Sequence, residues 1–196
     1  VLQNGNVNSS PIQIGTSSWT AIAAGYQHAV GIRLGGSVLT GGFNSSGQLG
    51  DNTGLTKNNM NTVVDSVNSY SQVGAGYDVS FALRTDGTLW AWGSSSGGQI
   101  PLYYVDKSSP VQLGTGYSQI PYLGLARATG FIRTDGSIWV QGENQNGGLG
   151  QNDVVARSSP VQLGAQASPW LINTTRPKQV TTGSWTQVAV GSEHVL

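Results

Sequence analysis

Three stretches of this chain superimpose at a spacing of about fifty residues, and that spacing decides most of what the chain can fold into. GIRLGGSVLTGGFNSSGQLG (31–50), ALRTDGTLWAWGSSSGGQIP (82–101) and FIRTDGSIWVQGENQNGGLG (131–150) bring Arg33, Arg84 and Arg133 into one register, 51 and 49 residues apart. A second landmark, SSPIQIG (9–15), returns as SSPVQLG at 108–114 and 158–164, with a worn copy NTVVDSV at 61–67. A third sets an aromatic before a short apolar strand and Gly: WTAIAAG (19–25), YSQVGAG (70–76) and WTQVAVG (185–191), with YSQIPYLG (117–124) as a degraded copy. Three landmarks recurring in one order at one period define a repeat architecture, which outranks any local secondary-structure signal.

Each repeat reads as several short antiparallel strands. In SFALRTDGTLWAWG, Phe81 and Leu83 alternate with Ser80, Ala82 and Arg84 before Asp86-Gly87 turns the chain. Asp-Gly between alternating strands predicts a type I′ hairpin with Asp86 and Asp135 chosen for tolerance of positive φ, and Gly35-Gly36 serves the same geometry. Pro110 and Pro160 open short strands that fit an edge position, because Pro cannot donate to a ladder. Roughly four strands in fifty residues make a propeller blade. The composition agrees: 29 glycines and few charged side chains suit many turns, and no apolar run approaches a spanning helix.

These landmarks resemble the regulator-of-chromosome-condensation repeat. Gly25-Tyr26-Gln27-His28 and Gly191-Ser192-Glu193-His194 match its opening, Asp86-Gly87-Thr88-Leu89-Trp90-Ala91-Trp92-Gly93 its middle and Gly47-Gln48-Leu49-Gly50 its close. The resemblance implies an all-β propeller of four-stranded blades, commonly seven-bladed, of which this chain covers a part. On that expectation residues 1–18 end one blade and link to the next, 19–69, 70–116 and 117–184 are three repeats, and 185–196 begin a fourth, with an insertion at 165–183. The repeats depart from the pattern. Leu39 and Gly41 replace both tryptophans in the first, Ile100-Pro101 closes the second, and Gln141 stands for the second Trp in the third.

Candidate chemistry dissolves into the period. His28 and His194 occupy matched positions, so a recurrent bond within the blades explains them better than metal ligation, and Val79 stands where a third His would be. Asp86 and Asp135 belong to turns, leaving Asp78, Glu143 and Glu193 as the acids near blade-end loops. DNTG (51–54) and QND (151–153) lack the ligand density of a calcium loop, and GSSSGG (93–98) lacks the Lys of a phosphate cradle. Trp90, Trp92 and Trp139 alternate along strands, as packing between blades requires. There is no cysteine for a thiolate site, and nine basic residues against nine acidic ones leave no positive field for nucleic acid.

What breaks the period remains for recognition: Tyr103 and Tyr104, and Trp170 in the insertion. The expected function is therefore non-enzymatic, with no cofactor, no metal and no membrane insertion. The low charge and the Asn, Ser, Gly and Thr content resemble the divergent propeller repeats of phage structural proteins. That likeness implies a virion or extracellular location in a tail, baseplate or host-adhesion assembly. The implied partners are other virion proteins or a host-surface receptor or glycan. A secreted bacterial adhesin, and a GTPase exchange factor or adaptor, are the two rival readings.

Overall fold

The computed structural model describes residues 13, 16–62, 65, 68–100, 105–120, 122–123, 127–163 and 189–190. Its strands run in chain order. They are β1 (Trp19–Ala24), β2 (His28–Arg33), β3 (Val38–Gly42), β4 (Lys57–Thr62), β5 (Tyr70–Ala75), β6 (Val79–Arg84) and β7 (Leu89–Gly93). Then come β8 (Lys107–Gly114), β9 (Tyr117–Gln119), β10 (Tyr122–Leu123), β11 (Ala128–Arg133), β12 (Ile138–Gly142), β13 (Arg157–Gln162) and β14 (Ala189–Val190). Three four-stranded sheets result, β1-β2-β3-β4, β5-β6-β7-β8 and β9-β11-β12-β13, with antiparallel pairing throughout. A short parallel pair, β10 with β14, matches Tyr122 to Ala189 and Leu123 to Val190. These sheets are the blades of a β-propeller. Pro110 and Pro160 lie in β8 and β13, the outermost strands of their sheets, where the missing N–H breaks no ladder.

The hairpin between the second and third strands differs from the sequence expectation. Gly87 N–H donates to Arg84 O (3.1 Å) and Arg84 N–H to Thr88 O (2.9 Å), which makes a three-residue loop. Only Gly87, at φ +80°, takes the left-handed conformation, and Asp86 does not. This is a type I turn followed by a left-handed Gly rather than a type I′ turn. Asp86 is there for its carboxylate: Oδ1 accepts Thr88 N–H at 2.9 Å and Thr88 O–H at 2.6 Å. Asp135 does the same for Ser137 at 2.8 and 2.6 Å. Only in the first blade, without an Asp, do both central glycines turn positive, Gly35 at +106° and Gly36 at +86°.

Alternation along β6 sorts side chains between two neighbours rather than between core and water. Val79, Phe81 and Leu83 join Leu89, Ala91, Ile100, Tyr117 and Phe131 in a core shared with the third blade. Ala82 joins Val30, Ile32, Val38, Tyr70 and Trp92 in a core shared with the first. Trp92, Phe81 and Phe131 are fully buried, and Phe81 meets Phe131 edge to face at 5.4 Å between centroids. Burying side chains of this size contributes roughly 1.5–3 kcal/mol each, so the middle blade depends on both neighbours.

Direction comes from one backbone oxygen. The carbonyl of Gln48, at the close of the first blade, accepts Trp92 Nε1–H (2.9 Å) and Ser80 O–H (2.7 Å) from the second. The Gln48 side chain also donates to Asp78 Oδ1 at 3.1 Å, and His28 Nε2 lies 3.0 Å from Ser80 Oγ. Gly50 sits so close that a Cβ there would lie 2.8 Å from Trp92 Nε1. At the next junction Gln141, in place of the second Trp, donates its Nε2–H to Gln99 O at 2.5 Å. The departure from the repeat thus preserves the donor while changing the ring for an amide. Leu49, Ile100 and Leu149, the residues after these closes, are all fully buried.

Two predictions test the junction. Trp92→Phe keeps an aromatic ring but leaves a buried carbonyl one donor short, which should cost about 1–3 kcal/mol in urea unfolding. His28 is also diagnostic, because burial lowers its pKa from 6.5 to about 4. With the folded-state value lowered, the unfolded chain protonates first. Stability should therefore be level above pH 6.5, fall by about 3 kcal/mol between pH 6.5 and 4, and level again below. Subtracting the unfolding profile of His28→Gln from that of the parent should isolate this limb.

Candidate functional site

His28 and the loop carboxylates Asp51 and Asp153 are engaged inside the blades. His28 is buried between the first two blades, and its matched positions in β6 and β11 hold Val79 and Ala128. The DNTG loop is a self-contained knot. Asp51 Oδ1 accepts Thr53 N–H (3.1 Å), Thr53 O–H (2.7 Å) and Asn44 Nδ2–H (3.1 Å), while Lys57 Nζ lies 3.7 Å from Oδ2. These contacts outweigh burial and hold the Asp51 carboxyl below its usual range, although burial itself pushes the other way. Asn144 ties Asp153 in the third blade at 3.0 Å, and Arg157 pairs with that carboxylate at 2.5 Å. Among the described residues no group of three or more His, Asp or Glu stands together as metal ligands. Trp90 and Trp139 pack less deeply than Trp92. Each lies half-buried beneath an arginine of its own blade, Arg84 Cζ at 4.3 Å and Arg133 Cζ at 4.1 Å.

One end of the blades is different. The β1–β2 turn carries Tyr26 and the β5–β6 turn carries Tyr77, and the two rings stack at 4.4 Å and 10°. Arg127, at the start of β11, places its guanidinium 5.5 Å from the Tyr77 ring and 3.3 Å from Glu143 Oε1. A ladder of Tyr26, Tyr77, Arg127 and Glu143 thus crosses three consecutive blades. Burial raises the Tyr77 hydroxyl pKa, with the Tyr26 neighbour adding to it. Asp78 lies at the same end, and its carboxyl is raised first by burial, with Arg127 opposing and Asp106 adding.

The pairing His28↔Gly42 shows that the β3–β4 loop emerges beside the β1–β2 turn, so these loops share that end. Phe43 is 39% exposed there and Tyr26 50%. Farther out, Leu55, Val105 and Val155 recur at fifty-residue steps, 66%, 69% and 59% exposed. This end therefore presents apolar side chains to water in three successive repeats, a combination that marks an interaction surface.

Of the acids expected near blade ends, Asp78 and Glu143 are brought to this face. Glu193 lies outside the described residues, as do Tyr103, Tyr104 and Trp170, the expected binding residues. Sequence reasoning missed Tyr26 and Tyr77. The signal was present as Gly-Tyr at 25–26 and 76–77, one period apart.

Residues 70–99 match the family model of the regulator of chromosome condensation (RCC1) repeat. The probable E3 ubiquitin-protein ligase HERC6 of Homo sapiens is 29% identical over 147 residues, 71% of this chain and 14% of the relative. The ultraviolet-B receptor UVR8 of Arabidopsis thaliana is 27% identical over 152 residues, 74% of this chain and 34% of the relative. Among solved structures, Prp20p from Saccharomyces cerevisiae superimposes with a TM-score of 0.70 at 18% identity, over 93% of this chain and 43% of that one. Human WBSCR16 gives 0.67 at 20% identity, over 79% and 40%. The chain spans less than half the length of each of these proteins. In its repeats and in its blades, this chain is an RCC1-like repeat protein with a β-propeller fold.

Proposed function

We propose that the chain is a non-enzymatic recognition propeller that docks proteins through the blade end carrying Tyr26, Tyr77, Leu55, Val105 and Val155. One observation supports this above the others. His28 and the loop carboxylates Asp51 and Asp153 are engaged within and between blades, whereas six of the eight exposed large apolar side chains among the described residues lie at one end, in three successive repeats. Aromatic and aliphatic groups beside an Arg–Glu pair suit a protein partner, because apolar anchors supply affinity and the charged rim supplies orientation. The chain's own charges balance, which suits neither a polyanion such as nucleic acid nor a strongly basic partner.

The setting we propose is the tail, baseplate or host-adhesion apparatus of a phage virion, with other virion proteins or a host-surface receptor as partners. The Asn-, Ser-, Gly- and Thr-rich repeats and their low charge favour it, since a propeller with few exposed strand edges tolerates such loops. A secreted adhesin would use the same face. The other rival takes its cue from Prp20p, a structure described with its binding properties to Gsp1p and histones. In that reading this chain would bind a small GTPase.

Immunogold labelling of phage particles with an antibody against this chain should decorate the tail or baseplate. Particles that carry none of the chain would refute the virion setting. Titration calorimetry against small GTPases should give no heat of binding, and a saturating isotherm would favour the exchange-factor reading instead. Tyr26→Ser with Tyr77→Ser should lower stability by no more than about 1–2 kcal/mol in urea unfolding, because Tyr26 is half exposed and neither ring belongs to the buried core. The same double variant should weaken partner binding at least about tenfold, read by surface plasmon resonance on the particle protein that the chain contacts.

A further inference from the structure

We propose that Arg133 and Tyr117 form a carboxylate receptor at the blade end opposite the tyrosine stack, taking an Asp or Glu side chain from a partner protein. The second blade holds the filled version of this site. There Arg84 Cζ lies 5.1 Å from the Tyr70 ring and 4.3 Å from the Trp90 ring. Two donors converge on one oxygen, Asp65 Oδ2: Arg84 Nη2–H at 2.5 Å and Tyr70 O–H at 2.5 Å. The indole beneath is fixed by its own bond, Trp90 Nε1–H to Thr88 Oγ1 at 3.2 Å.

The third blade rebuilds this cage from the same elements. Arg133 Cζ lies 5.2 Å from the Tyr117 ring and 4.1 Å from the Trp139 ring, and Trp139 Nε1–H donates to Ser137 Oγ at 2.8 Å. The carboxylate is what the third blade does not supply. Asp65 stands five residues before Tyr70, and the residue five before Tyr117 is Gln112, the same match that the NTVVDSV and SSPVQLG landmarks make, so no carboxylate stands there. A Cβ at Gly114 would lie 3.5 Å from Tyr117 Cε2 and 3.9 Å from its hydroxyl, so the glycine puts no side chain against that edge of the ring. In the first blade Arg33 also has an acceptor within the chain, Ser17 Oγ. Among the described residues Arg133 has no ion pair, and no hydrogen bond reaches the Tyr117 hydroxyl.

Asp135 is the nearest rival for Arg133, and the two do interact electrostatically. Its Oδ1, however, is taken by the N–H and O–H of Ser137. Asp86 stands in the same relation to Arg84, which nevertheless takes Asp65 as well. The hairpin Asp is therefore no substitute for the missing acid. A guanidinium flanked by two rings keeps an N–H edge for an anion, and that edge matches a carboxylate. Partial loss of water beside the rings strengthens the bond that forms there.

The test is an NMR titration of the whole chain at fixed ionic strength, following the Trp139 indole N–H and the Arg133 Nε–H. The probes are the capped peptides Gly-Gly-Asp-Gly-Gly and Gly-Gly-Asn-Gly-Gly, and sodium acetate. The Asp peptide should give a saturating shift at both signals, at least about tenfold tighter than the Asn peptide and tighter than acetate. Arg133→Gln should abolish the shift. Tyr117→Phe, which keeps the buried ring, should weaken binding severalfold without loss of fold. Shifts of equal size from the Asp and Asn peptides, or shifts that survive Arg133→Gln, overturn the site. Acetate binding as tightly as the Asp peptide overturns its assignment to a protein side chain.

Discussion

One backbone carbonyl, that of Gln48, fixes how the first two blades meet, because two side chains of the second blade donate to it. Apolar contact across the junction supplies most of the free energy but no direction, since burial of Phe81 or Trp92 is satisfied by many rotations of one sheet on another. A buried carbonyl with donors at 2.7 and 2.9 Å allows few. A middle blade with both faces apolar cannot stand by itself, and in repeat proteins such interfaces hold a large share of the stability. The same junction explains two glycine-specific and tryptophan-specific choices at once, because Gly50 and Trp92 Nε1 could not otherwise approach so closely.

Departures from the repeat read as matched changes on this account. One period after Gly50 the sequence has Pro101, and one period after Trp92 it has Gln141. Gly50 is required on two counts, its φ of +69° and the indole beside it, while at the next junction the donor to the Gln99 carbonyl persists as the Gln141 amide. Arg84 with Asp65 and Arg133 with Gln112 form a second such pair, in which the cage is kept and its acid is not. The third-blade arginine is a departure that leaves a donor without its acceptor, and that is what bears on the proposed receptor.

The period, the four-stranded blade and the order of the strands were legible in the sequence because each rests on local pattern repeated three times. The turn type was not. Asp-Gly between strands suits both a two-residue and a three-residue loop, and the first blade makes the same three-residue loop without an Asp, so the carboxylate of Asp86 capping Thr88 reinforces the turn rather than choosing it. Strand alternation placed Trp90 and Trp92, two residues apart, on one face of β7, toward the first blade. It gave no sign that both faces are buried, so the half-buried arginine clamp at Trp90 looked like one more packing contact. Tyr26 and Tyr77 were visible as a repeated Gly-Tyr but sat beside His28, whose chemistry drew the reading inward. What makes them notable is a stack between blades, which no single repeat encodes.

The two blade ends carry different consequences of the same repetition. At the hairpin end, each loop is pinned: Tyr70 N–H donates to Gly36 O and Tyr117 N–H to Gly87 O, both at 3.1 Å, so one blade's turn starts the next blade's first strand. Variation there is confined to side chains such as Asp65 that decorate a fixed frame. At the opposite end the β3–β4 loops are organised by Asn44 and Asn144, whose Oδ1 atoms accept Leu49 N–H and Leu149 N–H at 2.9 Å. Leu55, Val105 and Val155 extend beyond that anchoring with most of their surface in water. Their apolar character adds little to the blades that carry them, since exposed groups contribute little burial energy. A fold that secures its loops with a buried amide frees the residues beyond it to answer to a partner, and the apolar rim lies in that freed stretch.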